Sequence, residues 1–322
     1  MEVYPLAFPS QAKWSYQLKD QVLEFYLKLV LIRRFEEKVL SAFKEGVFHG
    51  TTHTSIGQEA DAVGVISQLE QEDIIVSNHR CHGHFLAYGG SPRALFAELM
   101  GKPVAVCGGR GGSQHLHWRN FYSNGIQGGI MPMAAGMALA EKTKNSQAIT
   151  AVFIGDGTLG QGVVYETLNM ASLWGLPLLI VLENNHIAQT TPSELTVAGK
   201  IADRFKAFDI PVEEINSSDV MAISGLAGRL IADVRHYQRP QALIVDTVRF
   251  GPHSKGDDTR SQEDLQALMR TRDPLCIQAS RIPRDVREDV DQEVEALIEK
   301  SYQEALNDPD YDSLREAGGE TK

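Results

Sequence analysis

The fold of this chain is decided by residues 155–185, which read GDGTLGQGVVYETLNMASLWGLPLLIVLENN. One apolar run, AITAVFI, ends directly before this stretch, and a second, LPLLIVL, lies near its end. Between the two runs, apolar residues such as Val163, Leu168 and Ala171 recur at helical spacing. This order predicts a strand, a helix and a second strand, which form a βαβ unit with a right-handed crossover and a parallel sheet.

Polar residues follow both predicted strands directly. Asp156 comes after the first strand and Asn185 after the second. Ligands of such sheets bind in the crevice beyond the carboxyl ends of the strands, so we expect both side chains at one crevice. Their oxygen atoms suit Mg²⁺ that holds a diphosphate. Gly155 and Gly157 would let the backbone approach the phosphates, at which the following helix points its N-terminus. The alternative is that the Asp and the Asn merely cap helices.

The composition argues against a nucleic-acid or membrane partner. The chain has 322 residues, of which 43% are hydrophobic and 23% charged, as in ordinary globular proteins. The formal net charge of −11 is unsuited to nucleic acid, whose binding depends on basic patches. No apolar run reaches the roughly eighteen residues of a membrane span, and no targeting segment is visible. Three widely spaced cysteines form neither a disulfide framework nor a metal site, so we expect a reducing compartment, the cytoplasm.

The pattern along the chain predicts an N-terminal arm over residues 1–19 and one α/β domain over residues 20–322, ending in a helical extension. Glycine is dense in residues 101–129, which are therefore predicted to be irregular. Besides the central unit, helices are predicted over residues 20–43, 130–144 and 220–237, and strands over residues 74–76, 210–215 and 242–248.

The spacing of GDG and a later NN, about thirty residues apart, resembles the thiamine-diphosphate motif. The text between them also resembles one branch of that family, the α subunits of the decarboxylating component of 2-oxoacid dehydrogenase complexes. Pyruvate, branched-chain and acetoin types belong to this branch, and the resemblance covers roughly residues 20–280. It implies the thiamine-diphosphate-binding fold, a mostly parallel central sheet flanked by helices, and the cofactors thiamine diphosphate and Mg²⁺.

The resemblance assigns a metal site and the donors for the diphosphate. Asp156 and Asn185 would ligate Mg²⁺ by their side chains, and the carbonyl of Ile187 would complete the ligands from the protein. Gly157 and Thr158 would offer main-chain donors to the diphosphate.

Four further residues are expected to bind the cofactor. Arg80 aligns with an arginine that grips the diphosphate, and His79 stands where relatives often have tyrosine. Gly125 and Gln127 fall where relatives hold the aminopyrimidine ring by backbone groups. A Gln127 side chain that points into the pocket would affect the choice of substrate.

Two histidines are the predicted catalytic residues. His253 lies in RFGPHSKGDDTR, which resembles a loop at the mouth of the cofactor channel, where it would also contact the cofactor. Imidazole titrates near neutrality, which suits an acid–base group. His53 falls where the family has an active-site histidine. Asp257 matches the same loop, whereas His82 and His84 are interpreted as a polar helix start.

Only the diphosphate-binding half of a complete enzyme is recognisable in this chain. The resemblance therefore implies a separate β subunit that binds the aminopyrimidine, in an α₂β₂ heterotetramer. The expected reaction is oxidative decarboxylation of a small 2-oxoacid, or cleavage of acetoin, with transfer of the acyl group to a lipoyl-bearing carrier or acyltransferase. Two alternatives remain open. One is a lipoyl-independent decarboxylase or acyloin carboligase of the same fold, and the other is a non-catalytic scaffold subunit, against which the intact site residues argue.

Overall fold

The computed structural model describes residues 20–254, 256 and 258–312. The predicted arm, residues 1–19, lies outside the described residues, as do Asp257 of the predicted loop and residues 313–322.

The first half of the described chain alternates helices with short strands. Its elements are α1 (Asp20–Ala42), α2 (Glu59–Ile66), β1 (Ile74–Ser77), α3 (Cys81–Ala87), α4 (Pro92–Leu99), β2 (His117–Trp118), β3 (Phe121–Ser123) and α5 (Ile130–Thr143). The second half contains the central unit and the C-terminal helices. Its elements are β4 (Thr150–Gly155), α6 (Gly162–Trp174), β5 (Leu178–Asn184), β6 (Ile187–Ala188), β7 (Thr191–Pro192), α7 (Ile201–Lys206), β8 (Val212–Asn216), α8 (Val220–Tyr237), β9 (Gln241–Asp246), α9 (Gln262–Arg272), α10 (Pro274–Ala279) and α11 (Arg284–Leu306).

Seven strands form one sheet in the order β2-β3-β1-β4-β5-β9-β8. Every neighbouring pair is parallel except β2 with β3. The central pair, β4 and β5, is in register from Thr150 opposite Leu178 to Gly155 opposite Glu183. The predicted parallel βαβ unit is therefore confirmed, and its two strands end side by side.

The sheet is buried on both faces, which explains why its central strands are continuous apolar runs. In β4, Ala151 and Phe153 point into one core, with α1, α2, α8 and α11. Val152 and Ile154 point into the other, with α5, α6 and α7. Side chains alternate between the two faces of a strand, so each run supplies both cores.

Two elements differ from the sequence prediction. The stretch over residues 101–129 contains β2 and β3, and β3 extends the sheet by pairing with β1. A 3₁₀ turn over Asp156–Gly160 separates β4 from α6, so the helix does not begin directly at the GDG sequence. None of the helices formed by the described residues is long and apolar enough to cross a membrane.

Candidate functional site

A cleft of about 300 Å³ lies at the carboxyl ends of the central strands. Strand β4 ends at Gly155 and β5 at Asn184, so the residues that follow them meet at one edge of the sheet. The cleft is lined by His79, Arg80, Gln127, Gly155, Asp156, Gly157, Thr158, Gln161, Asn185, Ile187, Ala188, Gln189 and His253.

The structure brings the predicted site residues together. Nine of the eleven line the cleft, the exceptions being His53 and Gly125. The ring of His53 packs against the rings of His79 and His253, with centroids 4.8 and 4.7 Å away. The carbonyl of Gly125 accepts a hydrogen bond from Gln127 at 3.4 Å. Both exceptions therefore lie beside residues that line the cleft.

Three lining residues, Gln161, Ala188 and Gln189, were not predicted. Ala188 is the last residue of β6, directly after the predicted ligand Ile187, and Gln189 lies in the turn between β6 and β7. The Cβ of Ala188 would lie 2.7 Å from a Cβ at Gly157, so glycine at that position lets the turn close over the cleft. The glycine at residue 157 is the sequence signal for such a neighbour, but we had interpreted it as space for the phosphates alone.

Asp156 is a buried carboxylate, only 2% exposed, at the floor of the cleft. The hydroxyl of Ser193 donates a hydrogen bond to it. Burial raises the pKa of Asp156 above its usual range, because the charged form loses solvation. A cation at this position would restore part of that lost stabilisation.

The alternative in which Asp156 and Asn185 only cap helices fails for the helix that follows the GDG sequence. The N-cap of α6 is Gln161, which makes no side-chain capping bond. The Oδ1 of Asn185 accepts from the backbone N–H of Ile187 at 3.2 Å, ahead of a hairpin rather than a helix.

Arg80 joins the two loops that carry the predicted catalytic histidines. Its guanidinium donates to the carbonyl oxygen of Thr54 at 2.8 Å. It also lies 3.2 Å from Nδ1 and 3.4 Å from the carbonyl oxygen of His253. A guanidinium can only donate, so Nδ1 of His253 accepts and the proton of the neutral ring is on Nε2.

Residues 53, 79 and 253 form what we call the histidine cluster. The rings of His79 and His253 are 5.3 Å apart, close to the other two separations. Neither ring nitrogen of His79 makes a hydrogen bond of ordinary geometry with the described residues, and the same holds for Oε1 of Gln127, although the Gln127 side chain lies close enough to His79 to act on its pKa. Burial, then the charges of Arg80, His53 and His253, lower the pKa of His79 well below its usual range, so its ring is neutral at neutral pH.

The loop that carries His253 is held by Arg260. Its guanidinium donates to the carbonyl oxygens of Arg249 at 2.6 Å and Gly251 at 2.9 Å, and pairs with Asp258. At the other side of the loop, the N–H of Phe250 donates to the carbonyl oxygen of Ile56 at 3.0 Å. The segments of residues 53 and 253 are thus bonded to each other through backbone groups.

Residues 27–313 match the family described as dehydrogenase E1 component. The chain belongs to this family. The match takes in all of the cleft residues, and it confirms both the predicted fold and the predicted enzyme class, an E1 α component of the 2-oxoacid dehydrogenase type.

Three relatives illustrate the assignment. The α subunit of the pyruvate dehydrogenase E1 component of Zymomonas mobilis is 37% identical over 264 residues, which cover 80% of this chain and 75% of that protein. The α subunit of acetoin:2,6-dichlorophenolindophenol oxidoreductase of Cupriavidus necator is 36% identical over 303 residues, or 90% and 91% of the two chains. Its counterpart in Bacillus subtilis is 38% identical over 243 residues, or 74% and 73%. Membership of the E1 family implies use of thiamine diphosphate and a β-subunit partner.

His82 and His84 of this E1 α chain lie at the start of helix α3, as predicted. Both are buried, which the prediction did not include. His82 lies between Glu36, 3.0 Å from Nδ1, and Ser113, 2.9 Å from Nε2. His84 is 3.2 Å from Glu183. These side chains fix the packing beneath the site and do not line the cleft.

The glycine-rich loop of E1 α is wrapped around one carboxylate. Glu98 is 1% exposed and accepts backbone N–H bonds from Cys107 at 2.6 Å and Gly109 at 3.0 Å through Oε2. Its Oε1 accepts from Gly111 at 2.7 Å and Gly112 at 3.1 Å. The next residue, Ser113, contacts His82. The carboxylate of Glu98 therefore fixes the backbone of the loop that brings Ser113 to the buried histidine below the site.

Glu98→Ala is expected to destabilise the complex of E1 α with its β subunit by at least about 3 kcal/mol, because four backbone donors lose one charged acceptor. The thermal unfolding midpoint measures the effect. The matched control is Glu263→Ala, which removes an exposed carboxylate in the first turn of α9 and should change stability by less than about 0.5 kcal/mol. Equal midpoints for the two variants would show that the loop does not depend on Glu98.

A second buried carboxylate makes the stability depend on pH. Asp61 is 1% exposed, and burial, followed by the nearby charge of Glu183, raises its pKa well above the usual range. The folded protein therefore holds this proton at pH values where the unfolded chain has lost it. The resulting stabilisation is complete below the unfolded pKa and is lost as the pH rises through the folded pKa.

Asp61→Asn keeps the shape of the side chain and removes this titration. The variant is expected to gain stability relative to the parent as the pH rises, by up to about 1.4 kcal/mol per pH unit. Unfolding of the cofactor-free complex at about pH 5.5 and about pH 8 measures the difference. A stability difference between variant and parent that is the same at both pH values would contradict the assignment.

Proposed function

We propose that this chain is the diphosphate-binding α subunit of an α₂β₂ enzyme that uses thiamine diphosphate and Mg²⁺ to decarboxylate a small 2-oxoacid oxidatively. The observation that carries the proposal is the cleft at the ends of β4 and β5, which Asp156, Asn185 and Arg80 line together.

The residues present fit a magnesium diphosphate. The carboxylate of Asp156 and the amide oxygen of Asn185, with the carbonyl of Ile187, form a set of hard oxygen donors that suits Mg²⁺. Arg80 supplies a buried cation to the same cleft, where it would bind phosphate oxygens. The ring nitrogens of His79 and the oxygen of Gln127, which make no hydrogen bond of ordinary geometry, are polar groups that a polar ligand would satisfy.

The backbone of the 3₁₀ turn would complete the phosphate site. Gly157 and Thr158 line the cleft within this turn, and their N–H groups are the donors assigned to the diphosphate. The Gly157 position leaves no room for a side chain against Ala188, which keeps the backbone accessible to the ligand.

When bound, thiamine diphosphate would supply the electron sink on which the 2-oxoacid loses CO₂. His253 would then exchange protons with the reacting groups through Nε2, since Arg80 occupies its Nδ1. His53, which packs against His253, would act in the same proton exchange.

The acyl group would pass to a lipoyl group on a carrier or acyltransferase. Cleavage of acetoin is a second candidate reaction, supported by the acetoin oxidoreductase α subunit of Cupriavidus necator, which is similar over 91% of its length. Gln127 places a polar side chain on the wall of the cleft, where it would contribute to the choice between substrates.

The test begins with the complex of this chain and its β subunit, freed of cofactor. Calorimetry with thiamine diphosphate is expected to show one site per α chain in the presence of Mg²⁺ and strongly weakened binding in the presence of a chelator. The loaded complex is then supplied with pyruvate, branched-chain 2-oxoacids or acetoin, using 2,6-dichlorophenolindophenol as electron acceptor.

Each outcome separates the candidates. The proposal is supported if a 2-oxoacid reduces the dye and if a lipoyl domain accelerates formation of the acyl product. If acetoin reduces the dye and the 2-oxoacids do not, the second candidate is selected. If product forms from an aldehyde acceptor at a rate that does not change when the lipoyl domain is added, the enzyme would instead be a carboligase. Absence of cofactor binding by the complex would overturn the proposal and leave a scaffold role.

A further inference from the structure

The histidine cluster has a second chemical capacity besides proton exchange. One ligand-capable ring nitrogen from each of its three members lies within 4.8 Å of the other two. Three imidazoles that converge in this way are a common set of protein ligands for zinc and similar transition metals. Asp156 and Asn185 offer oxygen ligands, so the two ligand sets in the cleft suit different metal ions.

The surroundings of His79 favour metal binding. Neither ring nitrogen has a hydrogen bond of ordinary geometry among the described residues, and the nearby side chain of Gln127 is the polar neighbour that a metal would displace. A buried nitrogen without a partner is itself unfavourable, and coordination removes that cost.

The geometry requires only a small closure. Zinc–nitrogen bonds of about 2.0–2.1 Å place tetrahedral ligand atoms roughly 3.3 Å apart. The rings must therefore approach one another by about 1.5 Å at most, starting from 4.8 Å. His53 and His253 lie outside the helices and strands.

Among the described residues, the cation that we find close to this cluster is Arg80, 3.2 Å from Nδ1 of His253. Its guanidinium also donates to the carbonyl oxygens of Thr54 and His253. Two hydrogen bonds therefore remain to the arginine when a metal takes the imidazole nitrogen. The positive charge of Arg80 weakens the site, which is a reason to expect exchangeable rather than permanent metal.

We propose that His53, His79 and His253 form a site for a transition-metal dication of the zinc type, and that occupancy of this site excludes thiamine diphosphate. His79 and His253 line the same cleft as the assigned diphosphate donors, so rings drawn onto a metal no longer face the cofactor. The metal site itself does not depend on the proposed function, whereas the exclusion of the cofactor does.

Co²⁺ is the probe, because it replaces zinc and gives a visible absorption spectrum that reports the number and kind of its ligands. Co²⁺ is titrated into the cofactor-free complex with the β subunit. We expect one Co²⁺ per α chain with the intense visible bands of four-coordinate cobalt, displaced by Zn²⁺. Addition of thiamine diphosphate with Mg²⁺ should release the Co²⁺.

Two variants and one control make the test specific. His79→Phe and His53→Phe each keep an aromatic ring and remove a ligand, and each is expected to weaken Co²⁺ binding by roughly 100-fold or more, beyond the 10–100-fold cost of losing an outer-shell partner. His236→Phe changes an exposed histidine on α8 and should leave the spectrum unchanged. Circular dichroism and co-purification with the β subunit verify that the variants are folded.

The outcomes are distinct from those of the proposed function. A cobalt spectrum that persists in folded His79→Phe and His53→Phe, or a complex that binds cofactor but no Co²⁺, overturns the metal site and leaves the enzyme proposal intact. Co²⁺ and thiamine diphosphate bound together to one α chain would overturn the exclusion.

Discussion

Replacement of Asp156 by alanine is expected to abolish binding of thiamine diphosphate and, with it, all turnover. Among the described residues that line the cleft, Asp156 is the one with a carboxylate, and Asn185 remains in the variant as a neutral ligand. Mg²⁺ would then have no anionic ligand from the described residues of the cleft, and the diphosphate would be its only anionic partner there. Loss of an outer-shell partner already weakens a metal site by about 10–100-fold, so loss of this ligand should exceed roughly 100-fold.

Calorimetry of the complex with thiamine diphosphate and Mg²⁺ measures the effect. The matched control is Ser193→Ala, which removes the hydroxyl that donates to Asp156 but leaves the carboxylate in place. This control should keep measurable cofactor binding. Asp156→Ala should also remain folded, because burial of this carboxylate raises its pKa and therefore costs stability in the absence of a cation. Undiminished cofactor affinity in Asp156→Ala would remove the aspartate from the metal site.

The central part of the fold was predictable because both faces of the sheet are buried. Strands β4 and β5 are apolar over residues 151–154 and 178–182, and continuous apolar runs of that kind are visible in a sequence. Strand β3 was missed because it spans three residues, too few to show a pattern, and because glycines surround it. Its place in the sheet comes from pairing with β1, a contact between distant parts of the chain.

The site was predictable where residues follow strands of the central unit. Asp156 and Asn185 could be placed at one edge from the parallel connection alone. The buried roles of the helix-start histidines could not, because the partner of His82 is Glu36, 46 residues earlier in the chain. The convergence of His53, His79 and His253 likewise depends on three separate segments that only the folded chain brings together.

His253→Ala is expected to slow acyl transfer by about 10²–10⁴ while leaving cofactor affinity nearly unchanged. The imidazole is the acid–base group in our proposal, so its loss affects proton transfer rather than the metal ligands. Arg80 loses its bond to Nδ1 but keeps the one to the carbonyl oxygen of Thr54 at 2.8 Å. The guanidinium therefore stays in the cleft, where it can still bind the diphosphate.

Two readouts separate the roles of these residues. Cofactor affinity is measured by calorimetry, and acyl transfer by single-turnover reaction of the loaded complex with a lipoyl domain. Ser254→Ala is the control for the loop, since it changes the neighbouring side chain and keeps the imidazole. If His253→Ala lost the cofactor as completely as Asp156→Ala, the histidine would be a binding residue and its separate catalytic role would be wrong. If His253→Ala slows acyl transfer and keeps its cofactor affinity, and if Ser254→Ala does not slow the transfer, the proton exchange is assigned to the imidazole of His253, which Arg80 contacts.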